Sequence, residues 1–164
     1  MSTKTDFSAE EWTLLLQAIT NVATYVITAD MSVMGALKEM KAMGKAVEGQ
    51  SAPPAAQELV GALVSDLKEK SENKESVAAP EMKEDDEVRE VMLQGLQDAV
   101  EVLDAKCSPE EANGFKLWLL EIAQAVAKAD KEGSHFGIGG VQVTDKEKAA
   151  LSELRSTLGL QDGQ

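Results

Sequence analysis

The chain has 164 residues and carries 16 basic against 29 acidic side chains, a formal net charge of −13 at pH 7. A surface this negative repels nucleic acid and anionic membranes, so we expect neither as a partner, whereas cations and basic proteins are electrostatically favoured. With 43% hydrophobic residues, the chain can form one domain with its own core. The single cysteine excludes an intrachain disulfide and a cysteine metal cluster, which favours a cytoplasmic location.

The first predicted helix begins at Ser8, which forms a capping-box spacing with Glu11. Apolar residues recur from Trp12 onward at helical spacing, and no charged residue lies between Glu11 and Asp30. A helix without a charged face is buried on most sides, so we expect this one at the centre of the fold. Its interspersed Gln, Asn and Thr residues favour a buried helix over a membrane span.

The middle of the chain is predicted to hold three helices and a linker. A second helix follows Asp30 after a short break and runs to about Glu48. A third, amphipathic helix covers residues 56–71, and a fourth covers residues 86–105. Between them, residues 71–87 are charged and polar, which predicts an acidic flexible linker.

The C-terminal third is predicted to hold two helices separated by a glycine-rich loop. The fifth helix begins with Ser108 as cap and Pro109 at its first position, and runs to about Asp130. The last helix begins at the capping residue Thr144 and ends before Gly159. The whole pattern predicts a single all-α domain over residues 1–164 with five to six helices.

An internal repeat relates the two ends of the chain. A shift of 100 positions aligns the first and fifth helices without a gap, including their capping boxes and a shared Ala-Asp ending. A shift of 114 aligns residues 36–41 with residues 150–155, so the second copy carries an insertion within the glycine-rich loop. We therefore predict two sequence-related helical hairpins about a pseudo-two-fold axis, with the third and fourth helices as a middle pair.

Asp30 and Asp130 end the two long apolar helices, where a negative charge opposes the helix macrodipole. One explanation is that each aspartate caps the helix that follows it. The other is a bound cation or a basic side chain, and a shared calcium or magnesium site would take further oxygen ligands from Glu39, Asp145 or Glu147. No EF-hand spacing is present, and the sequence leaves both explanations open.

The loop from Glu132 to Val141 holds four of the twelve glycines and the only histidine. It is no Rossmann fingerprint, because a helix and not a strand precedes it, and it lacks the Gly-Lys-Ser/Thr of a Walker loop. It is either a compact loop that plugs the core or a binding loop for a partner. The candidate binding residues are Gly133, His135, Phe136, Gly137, Gly139 and Gly140.

Two segments carry a family resemblance. They are the run Ala29-Asp30-Met31-Ser32 with its following Gly35-to-Glu39 stretch, and the stretch from Phe115 to Leu151 with Trp118 and the glycine-rich loop. They resemble small uncharacterised prokaryotic helical proteins similar to the tellurite-resistance TerB-like superfamily, over roughly residues 8–47 and 108–159. The resemblance implies an all-α fold with an Ala-Asp corner before a Glu-bearing helix, in a stress-linked accessory protein without enzymatic activity.

The leading functional hypothesis is a non-enzymatic cytoplasmic TerB-like protein that binds a divalent cation or a protein partner. No resident cofactor is expected beyond that calcium or magnesium ion. The alternative is a structural or assembly module that forms homo-oligomers. A second alternative is an unrecognised enzyme with His135 as general base, although this histidine has no second His or Cys with which to share a metal.

Overall fold

The computed structural model describes residues 1–29, 43–48, 51–77, 87–132 and 143–161, with only the backbone given for residues 129–132. The fold is all-helical, as predicted, and these ranges contain no strand. Residues 43–48 are helical, and short 3₁₀ turns precede the first two long helices. The five long helices are α1 (Ala9–Ala29), α2 (Gln57–Glu72), α3 (Val88–Lys106), α4 (Pro109–Glu132) and α5 (Asp145–Thr157).

The starts of α1 and α4 confirm the capping signals read from the sequence. The Glu11 amide donates to Ser8 Oγ over 3.1 Å, and the Ser8 amide donates to Glu11 Oε2 over 2.7 Å. Helix α4 begins at Pro109, and the Glu111 amide donates to Ser108 Oγ over 3.2 Å. Each bond satisfies an amide that the first helical turn leaves without an intrahelical partner.

The predicted linker at residues 71–87 begins with an ordered helix end. Lys74 adopts φ 57°, and the Glu75 amide donates to the Lys70 carbonyl over 2.8 Å. This is the 6→1 bond of a Schellman cap, which satisfies a carbonyl of the last turn of α2. Residues 78–86 lie outside the described residues, so flexibility of the linker stays a prediction.

Helix α1 lies at the centre of the fold, as its uncharged sequence predicted. Eleven of its 21 residues are buried, and it packs against α3, α4 and α5 and more lightly against α2. In the part of the chain that the structure describes, α1 alone is long and apolar enough to cross a membrane. A core helix meets the same test, and 61% of the window concerned is buried inside the fold.

Helix α3 runs antiparallel to α1, as contacts at both ends of α3 show. Lys106 Nζ, at the end of α3, lies 3.0 Å from Glu11 Oε2 in the first turn of α1. At the other end, Arg89 Nη1 donates to the Tyr25 carbonyl over 3.4 Å. The two helices therefore pack along most of their lengths.

Helices α1 and α4 begin at the same end of the bundle. The amide of Ser2, seven residues before α1, donates to Glu111 Oε1 in the first turn of α4 over 2.7 Å. Lys106, three residues before α4, contacts both Glu11 and the Asp6 carbonyl. Because α1 and α4 also pack on each other, they run in the same direction and their last turns lie toward the opposite end.

The two tryptophans are buried, with Trp12 4% and Trp118 0% exposed. Trp12 Nε1 donates to Asp66 Oδ2 over 3.0 Å, and Lys4 Nζ lies 2.8 Å from Asp66 Oδ1. Hydrogen bonds from Lys4 and Trp12 hold the pKa of Asp66 below its ordinary value of 3.8. This contact ties the N-terminal turn and α1 to α2.

Two helical glycines differ in what surrounds them, and this difference predicts different effects of an alanine substitution on stability. A Cβ at Gly61 on α2 would meet nothing within 4 Å, so Gly61→Ala is expected to stabilise the protein by about 0.5–1 kcal/mol. A Cβ at Gly114 on α4 would lie 3.1 Å from the Ala56 Cβ and 3.4 Å from the Pro53 Cβ. Gly114→Ala should therefore stabilise the protein less than Gly61→Ala does, or destabilise it. Urea unfolding of both variants checks this, and equal gains would contradict the close approach at Gly114.

Candidate functional site

The acidic corner after α4 is the segment around Asp130. The backbone of Asp130 is helical, whereas the residue that caps a following helix is not. Helix α4 continues through Asp130 to Glu132, so the backbone of Asp130 lies inside the last turn. Lys131 and Glu132 are good helix formers, and the described part of α4 reaches Glu132. The residue that caps the next helix is Thr144. Thr144, and not Asp130, thus caps α5, and the capping explanation is not tested further because residues 133–142 lie outside the described residues.

The end of α1, which Asp30 follows, lies toward the same end of the bundle as the end of α4. Helix α1 ends at Ala29, and because α1 and α4 run in the same direction, the last turns of both helices point to that end. Asp30 follows α1 directly, but Asp30 and Glu39 lie outside the described residues. The two helices that carry the predicted aspartates therefore run toward the same end, and a close approach of Asp30 to Asp130 stays a prediction.

The electrostatics of this end favour a positive charge. Each helix C-terminus carries about half a negative charge from its unpaired carbonyl groups, and an aspartate at the same place adds to it. The opposite end has the reverse arrangement, with Glu10, Glu11, Glu110 and Glu111 in the first turns of α1 and α4. Acids at helix N-termini are stabilised by the dipole, whereas an acid at a C-terminus opposes it unless a positive charge lies nearby, and in the sequence Lys128 and Lys131 flank Asp130.

Glu147, the fourth predicted ligand, forms part of the capping box of α5. Its residue is 3% exposed, and its Oε2 accepts hydrogen bonds from the amide of Thr144 over 2.7 Å and from Thr144 Oγ1 over 3.1 Å. The Glu147 amide in turn donates to Thr144 Oγ1 over 3.2 Å. These contacts give the carboxylate a structural role that requires no cation.

Among the described residues, no three His, Cys, Asp or Glu side chains lie together in a way that could hold a metal ion. A cation site therefore depends on the carboxylates of Asp30, Glu39 and Asp130, whose side chains lie outside that set. The candidate partner loop, residues 133–141 with His135 and Phe136, also lies outside it. The hypotheses built on this loop stay predictions.

A cluster that the sequence did not predict joins three helices near the end of α1. The Tyr25 hydroxyl donates to Glu153 Oε2 on α5, and Arg89 Nη2 on α3 lies 3.7 Å from the same oxygen. The Arg89 guanidinium lies 4.0 Å from the centroid of the Tyr25 ring, a cation–π contact. Burial, followed by the hydrogen bond to Glu153, raises the pKa of Tyr25 to about 12. The only sequence signal was that α1 carries the single tyrosine of the chain.

The sequence also did not predict the buried carboxylate of Glu111, which lies at the end of the bundle where α1 and α4 begin. Glu111 is 2% exposed, and its oxygens accept from the Ser2 amide over 2.7 Å and from Ser2 Oγ over 2.8 Å. Nothing in the sequence separated it from Glu11, which has the same capping-box spacing. Cys107 lies beside Ser2, and burial raises the pKa of its thiol, which opposes activation to a thiolate.

No family model, no curated protein and no solved structure matches this chain. The TerB-like resemblance therefore stays an expectation that rests on the residues quoted for it.

Proposed function

We propose that this chain is a non-enzymatic, TerB-like binding protein that holds a calcium or magnesium ion between the acidic corners after α1 and α4. The observation that carries the proposal is the position of the Asp130 backbone within α4, while Thr144 caps α5. An acid near a helix C-terminus opposes the macrodipole by about 0.3–1 kcal/mol, which a bound cation would offset. Asp30 follows a helix that ends toward the same side of the bundle, so one cation would compensate both charges.

The choice of ion follows from the available ligands. The chain has one histidine and one cysteine, so a soft or tetrahedral metal site has too few nitrogen and sulfur donors. Carboxylate oxygens suit calcium and magnesium. In this proposal Asp30 and Asp130 are the principal ligands and Glu39 adds a third, while Glu147 caps α5.

The non-enzymatic part of the proposal is supported by the roles of the hydroxyl–acid pairs that the structure describes. Ser8 with Glu11 and Thr144 with Glu147 form helix caps. A nucleophile activated by a base would instead present its hydroxyl to a second group and to a bound substrate. These pairs are used for folding.

The direct test is thermal unfolding of metal-free protein with EDTA and with millimolar calcium or magnesium. A ligand that binds only the folded state stabilises it by about 2.7 kcal/mol at one hundred times its dissociation constant, so the midpoint must rise. Asp30→Asn and Asp130→Asn should each remove most of that rise. Glu147 is a poor choice for this test, because losing its cap costs stability with or without a cation.

The matched control is Glu101→Gln, which removes one negative charge from an exposed position on α3. It changes net charge by the same amount as the aspartate variants and should leave the cation-dependent rise unchanged. If no ion raises the midpoint of the wild-type protein, the proposed site does not exist. If the control loses the rise as fully as Asp130→Asn, the effect is general charge screening and the proposal is wrong.

A further inference from the structure

The charged contacts between α1 and α3 fix the register of the two helices only loosely. No charged residue lies between Glu11 and Asp30, so α1 would still bury apolar groups after a slide of one helical turn, about 5.4 Å. The contacts at the two ends involve Lys106 and Arg89, whose long side chains are 36% and 38% exposed and adjust easily. A closer contact along the two helices is needed to specify one register.

Asn21 lies near the middle of this helix pair and is an unusual core residue. It is 5% exposed, and with Gln17 it is one of two buried side-chain amides on α1. Its Nδ2 has no hydrogen-bond partner among the described residues. A buried donor without an acceptor lowers stability, so the amide contributes something other than a hydrogen bond. In helix pairs, a single buried asparagine is best known for fixing the register.

Gly95 on α3 leaves the space that this amide occupies. It is the only glycine of α3, and a Cβ at its position would lie 3.0 Å from Asn21 Nδ2. Few side chains pack that closely, so the absence of a Cβ allows the approach. One turn away along α3 in the two directions lie Val91 and Ala99, which both carry a Cβ. Asn21 therefore fits against Gly95 better than against either neighbouring turn.

We infer that Asn21 and Gly95 form a register key, which we define as a close-fitting pair that admits one alignment of α1 on α3. A slide of one turn would bring the amide against the Cβ of Val91 or Ala99. The key excludes that alignment at a cost in stability, because its amide stays unpaired. The inference depends on α1 and α3 alone and is independent of the proposed cation site.

A double-mutant cycle of Asn21→Ala and Gly95→Ala tests the close fit by urea unfolding. Alanine has a higher helix propensity than glycine, so Gly95→Ala should stabilise the Asn21→Ala variant. In the wild-type chain the new Cβ meets the amide, and the gain should be smaller by about fivefold or more in the unfolding equilibrium constant. Gly61→Ala is the control, because its Cβ meets nothing within 4 Å and its effect should agree within about twofold in both backgrounds. Additive effects at positions 21 and 95 refute the close fit, and Asn21→Ser replaces Asn21→Ala in the cycle if the latter does not fold.

The register itself is measured by pulsed electron resonance between spin labels on Glu10→Cys and Glu90→Cys, two exposed positions, in a Cys107→Ser background. The wild-type pair should give one narrow distance distribution. The variant with both Asn21→Ala and Gly95→Ala lacks the key and should add a second population, displaced by about 5 Å, the rise of one turn. A single unchanged distribution in this variant would show that other contacts set the register, and it overturns the inference even where the cycle shows coupling.

Discussion

Phe115→Ala is expected to lower the free energy of unfolding by about 3–5 kcal/mol, because it removes a fully buried aromatic side chain and leaves a cavity. Phe115 on α4 is 0% exposed, and its ring centroid lies 5.7 Å from that of Trp118. Single domains are stable by only about 5–15 kcal/mol, so this loss would consume a large part of the total. Phe115 and Trp118 both belong to the hydrophobic core, so they lie on the face of α4 that packs against the rest of the fold.

Urea unfolding followed by tryptophan fluorescence measures this loss. Val88→Ala is the control, because Val88 is 47% exposed at the start of α3 and its truncation should change stability by no more than about 0.5 kcal/mol. A loss below about 1 kcal/mol for Phe115→Ala would show that the ring is not in the core. Comparable losses in the two variants would contradict the assignment of the buried face of α4.

Glu111→Ala is expected to cost about 2–3 kcal/mol, since hydrogen bonds to a charged group contribute about 1.5–3 kcal/mol and the buried Ser2 amide would lose its acceptor. The helix would also lose a negative charge near its N-terminus. Glu11→Ala is the matched comparison, because Glu11 occupies the same capping position on α1. Its side chain is 26% exposed, so water replaces its contacts and the loss should be clearly smaller.

The difference between the two variants is the informative quantity. Thermal or urea unfolding of both should rank Glu111→Ala well below Glu11→Ala in stability. Exchange of the amide of Ser2 should increase only in Glu111→Ala, because its acceptor is gone. Equal losses would indicate that both glutamates act only as helix caps and that the Ser2 contact contributes nothing.

The sequence predicted the parts of the fold that depend on neighbours along the chain. The pairs Ser8–Glu11 and Thr144–Glu147 are three residues apart, and their capping bonds form within one turn. Gly159 adopts φ 70° and ends α5, as the preference of glycine for this conformation predicted. The central position of α1 followed from the absence of charged residues between Glu11 and Asp30, because a helix without a charged face is buried on most sides.

Contacts between distant residues could not be predicted in this way. Tyr25 and Glu153 are 128 positions apart, and Ser2 and Glu111 are 109 apart, so no spacing rule relates them. Their pairing depends on how the helices pack, which the apolar pattern constrains only loosely. The position of Asp130 illustrates an intermediate case, because the helix-forming Lys131 and Glu132 extend α4 two residues beyond the predicted end at Asp130.

The central claim is that the acidic corners after α1 and α4 share one end of the bundle, and a distance between residues 30 and 130 tests it most directly. Spin labels on Asp30→Cys and Asp130→Cys, in a Cys107→Ser background, allow that distance to be measured by pulsed electron resonance. The account predicts a separation below about 20 Å, well under the roughly 31 Å length of a 21-residue helix. A separation of about 30 Å or more would place the corners at different ends and would contradict a shared cation site.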